Sequence, residues 1–191
     1  MKKIGISGVP GAGKTSLTRA LSSECRHTAK FKNVEIVSEY ARRYISKHGS
    51  IDHIWEQYRI TEKQIEWENS VAPQTDLLIT DSPIYLGFFY AKGLVNFQDP
   101  KEIMIYTDLF KRLIKLNNHY DLIIHLDPVL DPVKDGIRPE LHFDPKWRSE
   151  SNVSLLTIYS VFGQKNIEII AEKEMDKRVE ICFKLFEKYG I

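Results

Sequence analysis

Cysteine is scarce: Cys25 and Cys182 are the only two in 191 residues, and their separation matches no redox or metal-binding spacing. Both are therefore expected as reduced thiols in a cytoplasm, with a disulfide between them as the alternative. The six histidines, at 27, 48, 53, 119, 125 and 142, form no His-x-x-x-His or His-x-His pair, which argues against zinc. No apolar run approaches the roughly 20 residues of a membrane span. The opening MKKIGISG is broken by glycine too early for a signal peptide. Charge of one sign is also lacking: 27 Lys and Arg against 26 Asp and Glu leave a formal charge of +1. No whole-molecule field then draws the chain to nucleic acid or membrane, although a local basic patch is allowed. There is no Asn-Lys-x-Asp motif to select guanine, no legible Ser-His-Asp or Cys-His arrangement, no repeat and no low-complexity tract.

What the chain does have is an ordinary globular composition, 42% apolar and 28% charged, in a length that suits one α/β domain over residues 1–191. Five short apolar runs read as strands: 2–7, 34–37 (VEIV), 77–80 (LLIT), 122–126 (LIIHL) and 167–171 (IEIIA). They run on continuously instead of alternating with polar residues, as in parallel strands buried on both faces. Helical periodicity separates them at 15–23, 39–48, 51–70, 100–116 and 173–189. Ser50 is the expected N-cap of the long third helix, with Ile51, Ile54, Trp55, Tyr58, Ile65 and Val71 on one face. The alternation predicts a three-layer α/β sandwich with helices on both faces of a five-stranded parallel sheet. Residues 128–147 are rich in Pro and Asp and lack periodicity. An irregular stretch of that length is usually functional, and a lid over about 128–150 is expected.

Residues 8–15, GVPGAGKT, satisfy G-x-x-x-x-G-K-[ST] between a strand and a helix. The glycines free the backbone so that N–H groups converge on phosphate oxygens, and the helix presents its positive end to the same anion. The expected nucleotide-binding set is Gly8, Gly11, Ala12, Gly13, Lys14, Thr15 and Ser16, with Lys14 on the β- and γ-phosphates and Thr15 on Mg²⁺. ATP is the default nucleotide because no guanine motif is present.

Asp81 ends the third strand, on the sheet edge where ligands bind. It is the expected partner of Mg²⁺, a general base toward an acceptor hydroxyl, or the cap of a following helix. Asp127, at the end of the fourth strand, is a weaker candidate for the same place. Glu39 lies past the tip of the second strand with Arg42 one turn on, so the two face one way and suit a polar acceptor; an ordinary surface ion pair is the alternative. Arg43 reads as a solvated charge. Tyr85, Phe88, Phe89 and Tyr90 line a pocket for a flat ring or belong to the core. Trp55, Tyr58 and Trp67 are expected to pack instead of stacking a ligand, and His125 reads as a core residue.

The phosphate loop, EYAR at 39–42, the strand-three Asp81 and DGIR at 135–138 together resemble the nicotinamide-riboside kinase domain of bacterial NAD-metabolism regulators. They are also similar to a broader group of small AAA-like P-loop kinases and ATPases, many phage-encoded. The resemblance implies strand order 2-3-1-4-5, with Asp81 beside the phosphate loop. It also implies a lid arginine, Arg138 first and Arg148 second, that neutralises the transferring phosphoryl group; surface ion pairs are the alternative for both. The expected activity is ATP- and Mg²⁺-dependent transfer of the γ-phosphoryl group to a hydroxyl or phosphate of a nucleoside- or nucleotide-type acceptor, in a cytoplasm (a host's, if phage-encoded). One alternative acceptor is a hydroxymethylated base in phage DNA, held by basic residues at 42, 43, 47, 111, 112, 115, 146 and 148. Another alternative is an ATPase switch working with a protein partner.

Overall fold

The five apolar runs form one parallel sheet. In the computed structural model, which describes residues 1–28, 30–132 and 139–191, the strands are β1 (Lys2–Ser7), β2 (Val34–Val37), β3 (Leu77–Thr80), β4 (Leu122–Leu126) and β5 (Ile167–Ile170). Their order is β2-β3-β1-β4-β5 with every pairing parallel, as the resemblance implies. Every residue of β3 and β4 is buried, which is why those segments carry no polar alternation. β5 lies at the edge, and Ile169 is accordingly 53% exposed.

The described helices are α1 (Lys14–His27), α2 (Tyr40–His48), α3 (Ile54–Asn69), α4 (Leu86–Leu94), α5 (Pro100–Lys115), α6 (Pro145–Val161) and α7 (Met175–Tyr189), with a 3₁₀ turn at Glu140–Phe143. α1 packs on α7, and each contributes one buried free thiol, Cys25 and Cys182. No described helix is long and apolar enough to cross a membrane.

Three local departures from the sequence reading have physical causes. First, α3 starts at Ile54, not Ile51, because a capping box forms at His53: the Glu56 carboxylate accepts from the His53 N–H at 2.9 Å. Ser50 instead donates to Asp52. The buried stripe of α3 is Ile54, Gln57, Ile60, Thr61, Gln64 and Glu68, while Trp55 is 45% exposed. A stripe made largely of polar residues is invisible to a search for apolar periodicity.

Second, α4 has no counterpart among the segments of helical periodicity, since Phe88, Phe89 and Tyr90 lie between two glycines, and its N-cap is Tyr85, so Asp81 does not cap it. Third, α6 begins inside the stretch expected to be lid. Asp144 caps it, accepting from the N–H groups of Lys146 and Trp147, with Pro145 in the first turn. Its buried line, Arg148, Ser151, Leu155 and Tyr159, opens on two polar residues, which hid the period.

Candidate active site

The phosphate loop joins β1 to α1. Gly13 caps α1 in the left-handed region at φ 92°, and a Cβ there would lie 2.7 Å from Arg178 Nη1. Gly11, at φ 79°, faces Pro132 and Arg148 in the same way. Only glycine fits either position. The first turn of α1 has no side-chain cap and no acidic residue, so its N–H groups are left to an anion. The Lys14 ammonium donates to the carbonyls of Gly8 and Val9 at 2.9 and 3.1 Å.

Because β1 and β3 are direct neighbours, Asp81, one residue past β3, reaches the start of α1. The Thr15 hydroxyl donates to Asp81 Oδ2 at 2.6 Å. Asp81 is 4% exposed, and its other carboxylate oxygen has no protein partner among the described residues. A buried acceptor oxygen with no donor, beside a hydroxyl, is a hard-oxygen pair that suits Mg²⁺, which needs few protein ligands when phosphates supply others. No cluster of three or more His, Cys, Asp or Glu able to hold a metal occurs among the described residues.

Two arginines buttress the loop from behind. Arg148, on α6, donates to the Pro10 carbonyl and, at 3.1 Å, to that of Leu130. It is 4% exposed, so the second candidate lid arginine belongs to a helix packed against the phosphate loop. Arg138 falls outside the described residues. Arg178, on α7, was missed in the sequence: it is fully buried and donates to the carbonyls of Ala12 at 2.9 Å and Glu172 at 2.6 Å. Burial pulls its pKa below the ordinary arginine value, with Glu172 opposing. The available signal was an arginine leading an otherwise apolar i, i+4, i+8 line, Arg178, Cys182 and Phe186.

Glu39 is the N-cap of α2, and its carboxylate lies 3.8 Å from Arg42 Nε. Both border an open cleft of about 680 Å³ whose rim includes Pro10 of the phosphate loop. The aromatic cluster after Asp81 divides along the faces of α4. Phe89 and Tyr90, 5.0 Å apart, line the cleft opposite Trp147 and His142, which stack at 4.6 Å. Tyr85 and Phe88 turn inward onto Phe162. Trp55, Tyr58 and Trp67 do not line the cleft: Tyr58 donates to Asp108 at 2.6 Å, and Trp67 packs on Tyr40. Arg43, expected to be solvated, lies over the Trp67 ring.

At the end of β4, Asn152 links two residues: its amide oxygen accepts from His125 Nε2 at 2.7 Å and its amide nitrogen donates to Asp127 at 2.9 Å. His125 is fully buried, and desolvation lowers its pKa. Of the suggested basic track, Arg112 is paired with Glu62 and Asp108, Lys146 with Glu150, and Arg148 is buried.

A parallel 2-3-1-4-5 sheet with this glycine loop and a strand-three aspartate defines a P-loop nucleotide-binding protein. More particularly, the AAA domain family model matches residues 3–176, and the chain belongs to that family. No curated protein matches it in sequence. Among solved structures it is similar to a NadR protein in complex with NR, at TM-score 0.77 and 20% identity over 100% of this chain and 52% of that one. The chain thus spans about half the length of that relative. It is also similar to thymidylate kinase from Candida albicans, at TM-score 0.69 and 14% identity over 99% and 92% of the two chains. Deoxyadenosine kinase from M. mycoides, solved with bound dATP, follows at TM-score 0.62 and 15% identity over 97% and 99%. At these identities the likeness establishes a shared fold.

Proposed function

We propose that the protein is an ATP- and Mg²⁺-dependent phosphotransferase that moves the γ-phosphoryl group to a hydroxyl or phosphate of a small nucleoside- or nucleotide-type acceptor. The observation that carries this reading is the cleft of about 680 Å³ opening beside the phosphate loop. Small-molecule sites typically run from about 300 to 1,000 Å³, and a switch that acts on a protein needs no second cavity of that size next to its phosphates. The similarity in fold to structures described as kinases supports the same reading.

In this mechanism the loop Gly8–Ser16 and the N-terminus of α1 bind the triphosphate. Lys14 exchanges the carbonyls it now meets for the β- and γ-phosphates. Thr15 and Asp81 would hold Mg²⁺, which would supply charge neutralisation on the phosphates. Arg148 and Arg178 fix the loop through the Pro10 and Ala12 carbonyls, so that its N–H groups are aimed before the substrate arrives. Arg138 is the proposed lid cation. Glu39 and Arg42 orient the acceptor between the aromatic walls, and catalysis is mainly positioning and charge stabilisation. The acid pairing of Arg112 and Lys146 supports a small acceptor over a nucleic-acid polymer.

The test is ADP formation from Mg·ATP with and without acceptor. A rise of at least about tenfold with one class of nucleoside or nucleotide is expected, since an unfilled acceptor site leaves the transition state without its positioned nucleophile. The same rate with every acceptor would count against the proposal.

A further inference from the structure

We infer that Gln64 and Glu68 of α3 are positioning residues for Asp81: acting through Thr80 and Tyr120, they hold the two backbone N–H groups of the turn that carries it. The inference rests on the phosphotransferase reading and assigns further residues to its metal site. Asp81 is held through its side chain at one oxygen only, the one that accepts from Thr15, while the other has no partner among the described residues. The direction of that second oxygen is therefore set by the backbone of the turn. Mg²⁺ tolerates little departure from octahedral geometry, so a turn free to shift would misplace the ligand.

The turn is braced at both ends. The Ser82 N–H donates to the Thr80 hydroxyl at 3.2 Å, and the Ile84 N–H donates to Tyr120 Oη at 2.8 Å. Pro83, between them, has no N–H and sits on β1 at Gly5, where a Cβ would lie 2.8 Å from Pro83 Cγ. Each brace is anchored on α3, one turn apart. Gln64 donates to the Thr80 hydroxyl at 3.3 Å, and its amide oxygen accepts from the Tyr40 N–H at 2.9 Å, so the carboxamide is fixed at both ends. Glu68 accepts from Tyr120 Oη at 3.0 and 3.1 Å and meets His119 Nε2 at 3.1 Å. Gln64 is 4% exposed, and Glu68, Thr80 and Tyr120 are fully buried. Placing a carboxamide and a carboxylate under a sheet costs free energy that apolar residues of like size would not. Here those groups leave neither N–H of the Asp81 turn free to pull the chain elsewhere.

The experiment measures Mn²⁺ binding to the protein–ADP complex from the electron-spin-resonance signal of free Mn²⁺, and ADP binding in EDTA, with thermal unfolding as the check on folding. Thr80→Val keeps the shape of the side chain and removes the shared hydroxyl; Thr80→Ser keeps the hydroxyl. Thr80→Val and Tyr120→Phe should each weaken Mn²⁺ binding by about tenfold or more, the scale for groups that orient a metal ligand. Thr80→Ser should stay near the wild type, and ADP affinity in EDTA should be unchanged throughout. Tyr120→Phe also strips a bond from buried Glu68, so if that variant does not fold the Thr80 pair decides. Wild-type Mn²⁺ affinity in Thr80→Val, beside a loss in Asp81→Asn, would overturn the inference and leave the phosphotransferase reading standing. Equal losses of ADP affinity with and without metal would also overturn it, since they mark a general loosening of the phosphate loop. Mn²⁺ affinity unchanged in Asp81→Asn would overturn both the metal site and the inference built on it.

Discussion

Gly87, in the first turn of α4, packs against Thr61 of α3, and replacing it tests how these two helices are held together. A Cβ at Gly87 would overlap the Thr61 hydroxyl on α3 and lie 2.8 Å from Thr61 Cγ2 and 2.9 Å from Thr61 Cβ. Three side-chain contacts inside 3.0 Å cannot be relieved by one rotamer change, because Cβ is fixed to the helix. The helices must separate. Overpacking of this kind costs about 1–3 kcal/mol, occasionally more, offset by up to about 1 kcal/mol because alanine is the better helix former. Gly87→Ala should therefore lose about 2 kcal/mol. For a chain of this size that lowers Tm by about 4–8 °C. Thr61→Ala removes two of the three clashing atoms and gives up only a local bond to the Gln57 carbonyl. The double variant should recover about half of the loss, a coupling visible in urea-unfolding midpoints. A Gly87→Ala protein as stable as wild type, or additive effects in the double variant, would refute this account of the packing.

Other perturbations give equally definite expectations. Asp81→Asn keeps an acceptor for the Thr15 hydroxyl but removes the charge, so kcat should fall by roughly two to three orders of magnitude, the scale for one preorganised electrostatic group, while thermal unfolding is nearly unchanged; full activity would remove Asp81 from the site. His125 has its pKa lowered by burial from 6.5. Below that value the unfolded chain binds the proton first, so stability rises with pH through this window and is lost as pH falls below about 6.5. His125→Gln should flatten that slope in urea titrations, and an unchanged slope would assign it to other groups. Burial raises Cys25 to about 11 and Cys182 to about 12, so neither thiol should react with an aromatic disulfide reagent at pH 8 until the protein unfolds. Fast reaction of the native protein would contradict that packing.

The sheet was legible in the sequence because each strand is a short, unbroken apolar run, and the glycine loop was legible because its chemistry needs a fixed spacing. Strand order came from the resemblance, and the β1–β3 neighbourhood it implies is what brings Asp81 to Thr15. The helices that wall the acceptor cleft were harder to read for a common reason. On α3 and α6 the buried faces carry Gln57, Thr61, Gln64, Arg148 and Ser151, polar side chains placed inside to meet other groups, so they break the apolar period that betrays an ordinary helix. Arg178 shows the same effect on α7, as a cation leading an apolar line. Of these residues, Arg148 and Arg178 touch the phosphate loop and Gln57 and Ser151 the cleft, while Gln64 ties α3 to Tyr40 and Thr80.

The most direct test of the central claim is transfer of label from γ-labelled Mg·ATP to a panel of nucleosides, nucleoside monophosphates and DNA, run beside Lys14→Ala. The account predicts label in the phosphorylated form of a small nucleoside-type acceptor and none with the variant. Label appearing only as free phosphate, at one rate whatever the acceptor, would contradict it.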